Sequence, residues 1–253
     1  MWIGALLCAL AGSVSAADDR ATFLSGAIKT CSACDLAGVD LSGRDLKRAK
    51  LDGAKLKGAT LTDADLFRAV LQHADLSSAK LAGANLNLVD AKWADLSGAD
   101  LSKAMLYEAD LASATLVRTN LQGARLGRAV LNQADLEGAN LTGADLTGAR
   151  LAGAKLAGTV MRGVTLNGQN LRGMDLHGID FAIADMVEVD LTGADLRGSD
   201  LSGVDLTAAD LHGADLRGAH FDGAKLTSAI LSDTQRDGAT FDKAIMPDGW
   251  GKE

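Results

Sequence analysis

Few side chains in this sequence have the types and spacing to do chemistry. Cys31 and Cys34 form a C-S-A-C pair. That spacing is open to a local disulfide, to free buried thiols, or to a redox pair that would want a thioredoxin-like βαβ setting the sequence lacks. In an exported chain the disulfide leads. His73, His177, His212 and His220 are scattered with no H-x3-5-H partner, so spacing assembles no tetrahedral zinc set. No nucleophile elbow, zinc-protease helix, phosphate loop or dinucleotide fingerprint occurs. Catalytic residues, metal ligands and cofactors are therefore all expected to be absent. Enzymes also need convergent groups around a cavity, and a sequence this regular offers neither long loops nor a break in symmetry.

What positions the remaining residues is an unusual chain. It has 253 residues, 47% hydrophobic but only 4% aromatic, with 29 Gly, one Pro and a net charge of -8. So few aromatics require a core of Leu and Ala, while that much Leu excludes a disordered chain. The acidic balance argues against direct nucleic-acid binding and against docking on an anionic membrane face, and permits a basic protein partner.

Self-similarity dominates the sequence. From Leu36 to Met246 every fifth residue is apolar except Arg236, and the register never slips. Ala91, Met161, Phe181, Met186, Phe221 and Phe241 also stand where Leu is the rule. Two places before the central residue Ala prevails, one before it Asp or Asn, and two after it Gly. A period of five would smear Leu over all faces of a helix and flip it between the faces of a strand. The backbone must therefore turn once per pentad, with Leu pointing to a common axis. Gly at the fifth place supplies the positive φ of a tight corner, and the neighbouring Asp or Asn can bond back to local backbone. Main-chain groups left unpaired within a pentad must pair with the coils above and below. The expected fold is an all-β solenoid.

Units such as Ala94-Asp95-Leu96-Ser97-Gly98 and Ala144-Asp145-Leu146-Thr147-Gly148 resemble the A(D/N)LXX motif of the pentapeptide repeat protein family, and the match runs over residues 34–248. The resemblance implies a right-handed quadrilateral parallel β-helix with four pentads per coil. That gives about eleven coils and, at ~4.8 Å per strand spacing, a tower about 50 Å tall. Residues twenty apart then stack. Asp175, Asp195 and Asp215 become an acidic ladder, read either as a docking or loose calcium surface or as solvated carboxylates that shape corners. Phe67, Asn87 and Tyr107 stack beside Leu88, and His73 under Trp93, in outward slots of an aromatic-poor chain. Phe67, Leu88, Trp93 and Tyr107 thus form a candidate partner patch. Ala91 replaces the central Leu beside Trp93, which is expected to distort the coil or fold Trp93 over the gap. Residues 41–130 carry net +3, with Arg44, Lys47, Arg48, Lys50, Lys55 and Lys57 clustered, whereas residues 131–253 carry net -9.

The ends are read by the same logic. Residues 1–16 are an uncharged apolar run closing on Val14, Ser15 and Ala16. They read as a signal peptide, too short to span a bilayer stably, although the segment has no Lys or Arg. Residues 17–33 form an N-terminal cap in which Ala21, Phe23, Leu24, Ala27 and Ile28 recur at helical spacing. Residues 34–248 are the repeat and 249–253 a tail in which Trp250 covers the last coil or meets a second copy in a homodimer through the C-terminal end. The expected function is an exported, periplasmic or extracellular, non-enzymatic scaffold or protein-binding rod. The alternatives are a cytosolic DNA mimic resembling gyrase-protecting pentapeptide proteins and a secreted effector.

Overall fold

The computed structural model describes residues 16–250; the signal segment, apart from Ala16, and residues 251–253 of the tail lie outside the described residues. Within them the chain is a β-solenoid. Every pentad contributes one residue to a parallel bridge, and each bridge joins residues twenty apart, from Thr30↔Lys50 to Lys225↔Ile245. Four pentads therefore complete one turn.

One pentad shows why the repeat takes this shape. In Ala94-Asp95-Leu96-Ser97-Gly98 the Ala99 N–H donates to the Leu96 carbonyl at 3.0 Å, closing a turn whose third residue, Gly98, has φ +62°. Positive φ at that place marks a type II turn, which is why Gly prevails there. The Ser97 N–H donates to Asp95 Oδ1 at 2.9 Å, so Asp fixes the corner from the other side. The remaining main-chain groups bond outside the pentad. Leu96 N–H donates to Thr115 O at 2.7 Å, Gly98 N–H to Val117 O at 2.9 Å, and Asp95 N–H to Ala74 O at 2.9 Å. The turn consumes so much of each pentad that the ladder is built from single bridges.

Leu and Ala point inward and form one continuous core. Polar residues at the Ala place bond backbone carbonyls: Thr119 Oγ1 to Leu96 O at 2.8 Å and Ser199 Oγ to Leu176 O at 2.7 Å in the preceding coil, and Thr159 Oγ1 to Leu156 O at 2.8 Å in its own. This satisfies buried groups that would otherwise cost about 1–3 kcal/mol each.

At the N-terminal end α1 (Ala16–Ser25) lies against the first coil, with Phe23 buried in the core and Leu24 and Ile28 packed on it. The helix stops earlier than the spacing of its apolar residues predicts. Gly26, at φ +85°, closes a Schellman motif with Gly26 N–H to Phe23 O at 2.9 Å and Ala27 N–H to Thr22 O at 3.2 Å, leaving Ala27 and Ile28 beyond it. Arg44, expected in a basic surface cluster, instead donates to Leu24 O at 2.8 Å and Phe23 O at 3.3 Å. At the other end the Trp250 ring lies 5.6 Å from that of Phe241, and the Arg236 guanidinium sits 4.6 Å over it. The one polar residue at a central place thus belongs to the last turn, where no further coil demands an apolar one.

Candidate functional site

The corners single out one stretch of the rod. A non-glycine residue at positive φ costs about 1–2 kcal/mol, and Gly occupies most of these corners without that cost. Among the described residues twenty non-glycine residues accept it, and twelve of them lie between Asp63 and Gln133; Arg68, His73, Leu88, Trp93, Glu108 and Arg128 are of this group, with φ between 53° and 58°. These last lie on two corner columns that bound the side carrying Val70, Asp90 and Asp110. Strain spent on outward side chains, with no core to gain, marks these corners as candidates for binding.

On the first column the Arg68 guanidinium sits 5.3 Å over Phe67, and Arg128 sits 6.0 Å over Tyr107. Arg128 Nη1 also donates to the Tyr107 hydroxyl at 3.1 Å and pairs with Glu108 at 3.2 Å. Asn87 Oδ1 accepts the Tyr107 N–H at 2.8 Å. Gly127 leaves room for the Tyr107 ring: a Cβ there would sit 3.4 Å from Cδ2. Tyr107 is nevertheless 45% exposed, whereas Phe67 and Leu88 are half-buried. On the second column the His73 and Trp93 rings stack at 5.0 Å, 6° from parallel, with Trp93 50% exposed. Between the columns Lys92 bridges Asp90 and Asp110 at 3.0 Å each, and Gln72 Nε2 donates to Asp90 at 2.6 Å. Burial works against ionisation of Asp90, but hydrogen bonds from Gln72 and Lys92 outweigh it and hold the carboxyl below its ordinary range. The same carboxylates raise Lys92, Asp90 foremost. On the side between the columns Lys92 is therefore committed to two carboxylates, and aromatic rings with their arginines stand at its edges.

The sequence-predicted residues fall into place unequally. Phe67, Leu88 and Tyr107 share one column and Trp93 occupies the other, so the patch wraps one side of the rod and does not form a single cluster. The expected distortion at Ala91 is not observed: Ala91 N–H donates to Asp110 O at 2.8 Å and Trp93 N–H to Ala112 O at 3.1 Å. Nor does Trp93 fold inward, because Val89 and Ala91 are both buried and Trp93 has His73 to stack on. Arg68 and Arg128 were not singled out from sequence. Their signal is there, as residues standing where a corner glycine is the rule.

Asp175, Asp195 and Asp215 do stack through bridges twenty apart, but the ladder is not bare. Arg197 binds both oxygens of Asp195 at 2.6–3.0 Å, Arg217 Nε donates to Asp215 at 2.8 Å, and the His177 ring bonds Asp175. These bonds hold all three carboxyls below the usual range and raise His177. Asp175, His177 and Asp195 offer ligand atoms within 4.8 Å of one another, yet two of the three carry guanidinium or imidazole partners already. Such a set does not fit a resident cation, since a hard ion would have to displace Arg197. Cys31 and Cys34 take a central and an inner place of the first coil, both buried, and are joined as a disulfide with Cα atoms 5.3 Å apart. Among the described residues no helix is long and apolar enough to cross a membrane.

Comparison with known proteins places this geometry. The family model described as pentapeptide repeats matches in eight copies, over residues 30–63, 64–102, 84–123, 144–181 and 184–223. Among solved structures, HetL, a pentapeptide repeat protein involved in heterocyst differentiation regulation from the cyanobacterium Nostoc sp. strain PCC 7120, is 34% identical, with 92% of this chain and 97% of that one covered and a TM-score of 0.51. QnrB1, a plasmid-mediated fluoroquinolone resistance protein, is 19% identical over 80% of this chain and 92% of its own, with a TM-score of 0.47. A comparison with curated proteins finds no match.

Proposed function

The chain belongs to the pentapeptide repeat family, and on that premise we propose that it is an exported, non-enzymatic binding rod. In this reading the tower is a right-handed quadrilateral β-helix of about eleven coils, α1 is its N-terminal cap, and the disulfide ties the cap's exit to the first coil. Its partner is a protein that docks across the corners bearing Phe67, Arg68, Trp93, Tyr107 and Arg128. The observation that carries this is the strained placement of Arg68, Trp93 and Arg128 at corners where Gly would cost less, with the rings of Phe67 and Tyr107 beside the two guanidinium groups. Rings paired with cations favour a partner segment that is both apolar and carboxylate-rich. Export rests on the apolar, uncharged residues 1–16 and on the Cys31–Cys34 disulfide, which persists in oxidising compartments.

The alternative of a DNA mimic would need a bare acidic face. In the column that best supplies one, Asp195 and Asp215 pair with Arg197 and Arg217 and Asp175 bonds the His177 ring. The binding test is a triple variant, Phe67→Ser with Trp93→Ser and Tyr107→Ser. It should keep the far-UV spectrum and melting behaviour of the wild type, since all three side chains point outward, while a partner isolated with the wild type loses affinity at least about 100-fold. Unchanged affinity would remove these corners from the account. The address is tested separately by the mass of the native chain, which should begin near Ala17 in an extracytoplasmic fraction.

A further inference from the structure

The inter-coil ladder is continuous from Leu36 to Leu146 and again from Met161 to Leu226, and it is broken between them. Gly148, Leu151, Gly153, Leu156 and Gly158 lack the N–H bond to the following coil that their counterparts make throughout the rest of the rod. On the facing edge Asn170, Asp175 and Asp180 lack the N–H bond to the preceding one. No bridge joins residue 150 to 170 or 155 to 175, whereas Asp145↔Thr165 and Val160↔Asp180 are formed. Two adjacent sides of one turn are therefore open and the other two remain bonded.

The core beside the opening departs from the rest of the rod. The inner place usually held by Ala is filled by Thr159, Val164, Gln169, Met174 and Ile179 in five successive pentads, the one full turn of the rod in which every such residue is oversized. Val164 and Ile179 stand on sides that keep a bridge, whereas Gln169 and Met174, the two longest, stand on the two open sides, where overpacking parts coils that otherwise stack on Ala. The parting leaves a cleft of about 440 Å³ lined by Ala154, Leu156, Gly173 and Met174. Ala154 and Met174 are partly exposed there, unlike nearly all other inner residues. The charges at its mouth are committed within their own halves: Lys155 pairs with Asp135 at 3.0 Å and Arg172 with Asp190 at 3.2 Å. The buried Gln169 Nε2 donates to Leu146 O at 2.6 Å at the edge of the seam, and among the described residues no side-chain bond joins residues 148–159 to residues 167–178. Every corner from Gly138 to Gly178 is glycine, so the backbone on both edges is the most permissive in the chain.

We propose that this seam is a hinge. The rod consists of two stiff arms, residues 31–158 and 159–246, which open and close about the bonded sides at 145/165 and 160/180. The oversized inner turn sets how far the cleft stands open. The partner corners described above lie wholly on the first arm and the Asp175 column on the second, so bending changes the angle between them.

Hydrogen exchange followed by mass spectrometry on the full chain tests this. Peptides covering 148–158 should exchange at least about tenfold faster than those covering 128–138 and 188–198. Gln169→Ala with Met174→Ala should restore protection at 148–158. Spin labels at Gln122→Cys and His212→Cys, spanning the seam, should give a distance distribution at least about twice as broad as labels at Ser42→Cys and Gln122→Cys within one arm. Equal protection of the three wild-type segments, or equally narrow distributions for the two label pairs, would overturn the hinge. Persistent fast exchange in a folded double variant would overturn the wedge as its cause.

Discussion

Val89 and Ala91 are adjacent inward residues that each depart from the repeat, one larger than the usual Ala and one smaller than the usual Leu, and both are buried. The main chain around them keeps its ladder. The inference is that the two departures offset one another in volume, Val89 supplying two of the three carbons that Ala91 lacks. Val89→Ala alone removes two buried methyl groups, at ~0.8 kcal/mol each, and leaves a cavity, for a loss of about 2 kcal/mol. Ala91→Leu alone forces three carbons into space Val89 already fills, at a cost of about 1–3 kcal/mol. The double variant restores the ordinary pair and should lie within about 0.5 kcal/mol of the wild type, an interaction energy of at least about 2 kcal/mol. Urea unfolding followed by circular dichroism reads this as midpoints that fall in each single variant and recover in the double, at constant m-value. Additive losses would refute the volume argument and show that the coil has contracted around Ala91.

Three further expectations follow from the same structure. Leu146→Asp places a carboxylate in the fully buried column and should cost more than about 4 kcal/mol, so a wild-type melting curve would contradict the packing. Cys31→Ser opens a short loop and also buries a hydroxyl, so its cost should be about 2 kcal/mol larger under oxidising conditions than under reducing ones, where only the burial cost remains. Asp175 bonds the His177 ring and raises its pKa, so the stability this adds is present below the ordinary histidine value and is lost as pH rises through the elevated one. Asp175 itself is depressed, so its contribution holds above the ordinary carboxyl range and fades as pH falls through the lowered value. Proton NMR titration of His177 should show the elevated value in the wild type and a return to the ordinary range in Asp175→Asn.

The solenoid was legible because one physical requirement, a corner every five residues with Leu inside, is written at every unit and never slips. Residue spacing also placed Asp175 under Asp195 and Phe67 on the same column as Tyr107. What spacing could not give was where side chains lean after they leave the corner. Arg44 turns to the carbonyls of α1, Arg197 and Arg217 lie along the acidic column, and Arg68 and Arg128 lie over the rings they serve. Those choices depend on neighbours one coil away. The seam was hidden for a different reason: Thr159, Val164, Gln169, Met174 and Ile179 each look like an ordinary substitution, and only their succession round one full turn exceeds what the Ala-lined coil beside them accommodates.

The central claim is that a protein partner docks on the corners around Tyr107. A photoreactive amino acid placed at Tyr107 or Trp93 of the full chain in its native cells, with the exposed Gln122 on the opposite side of the rod as control, tests it most directly. The account predicts one cross-linked protein product shared by positions 107 and 93 and absent at 122. Equal labelling at all three positions, or a product only at 122, would contradict it.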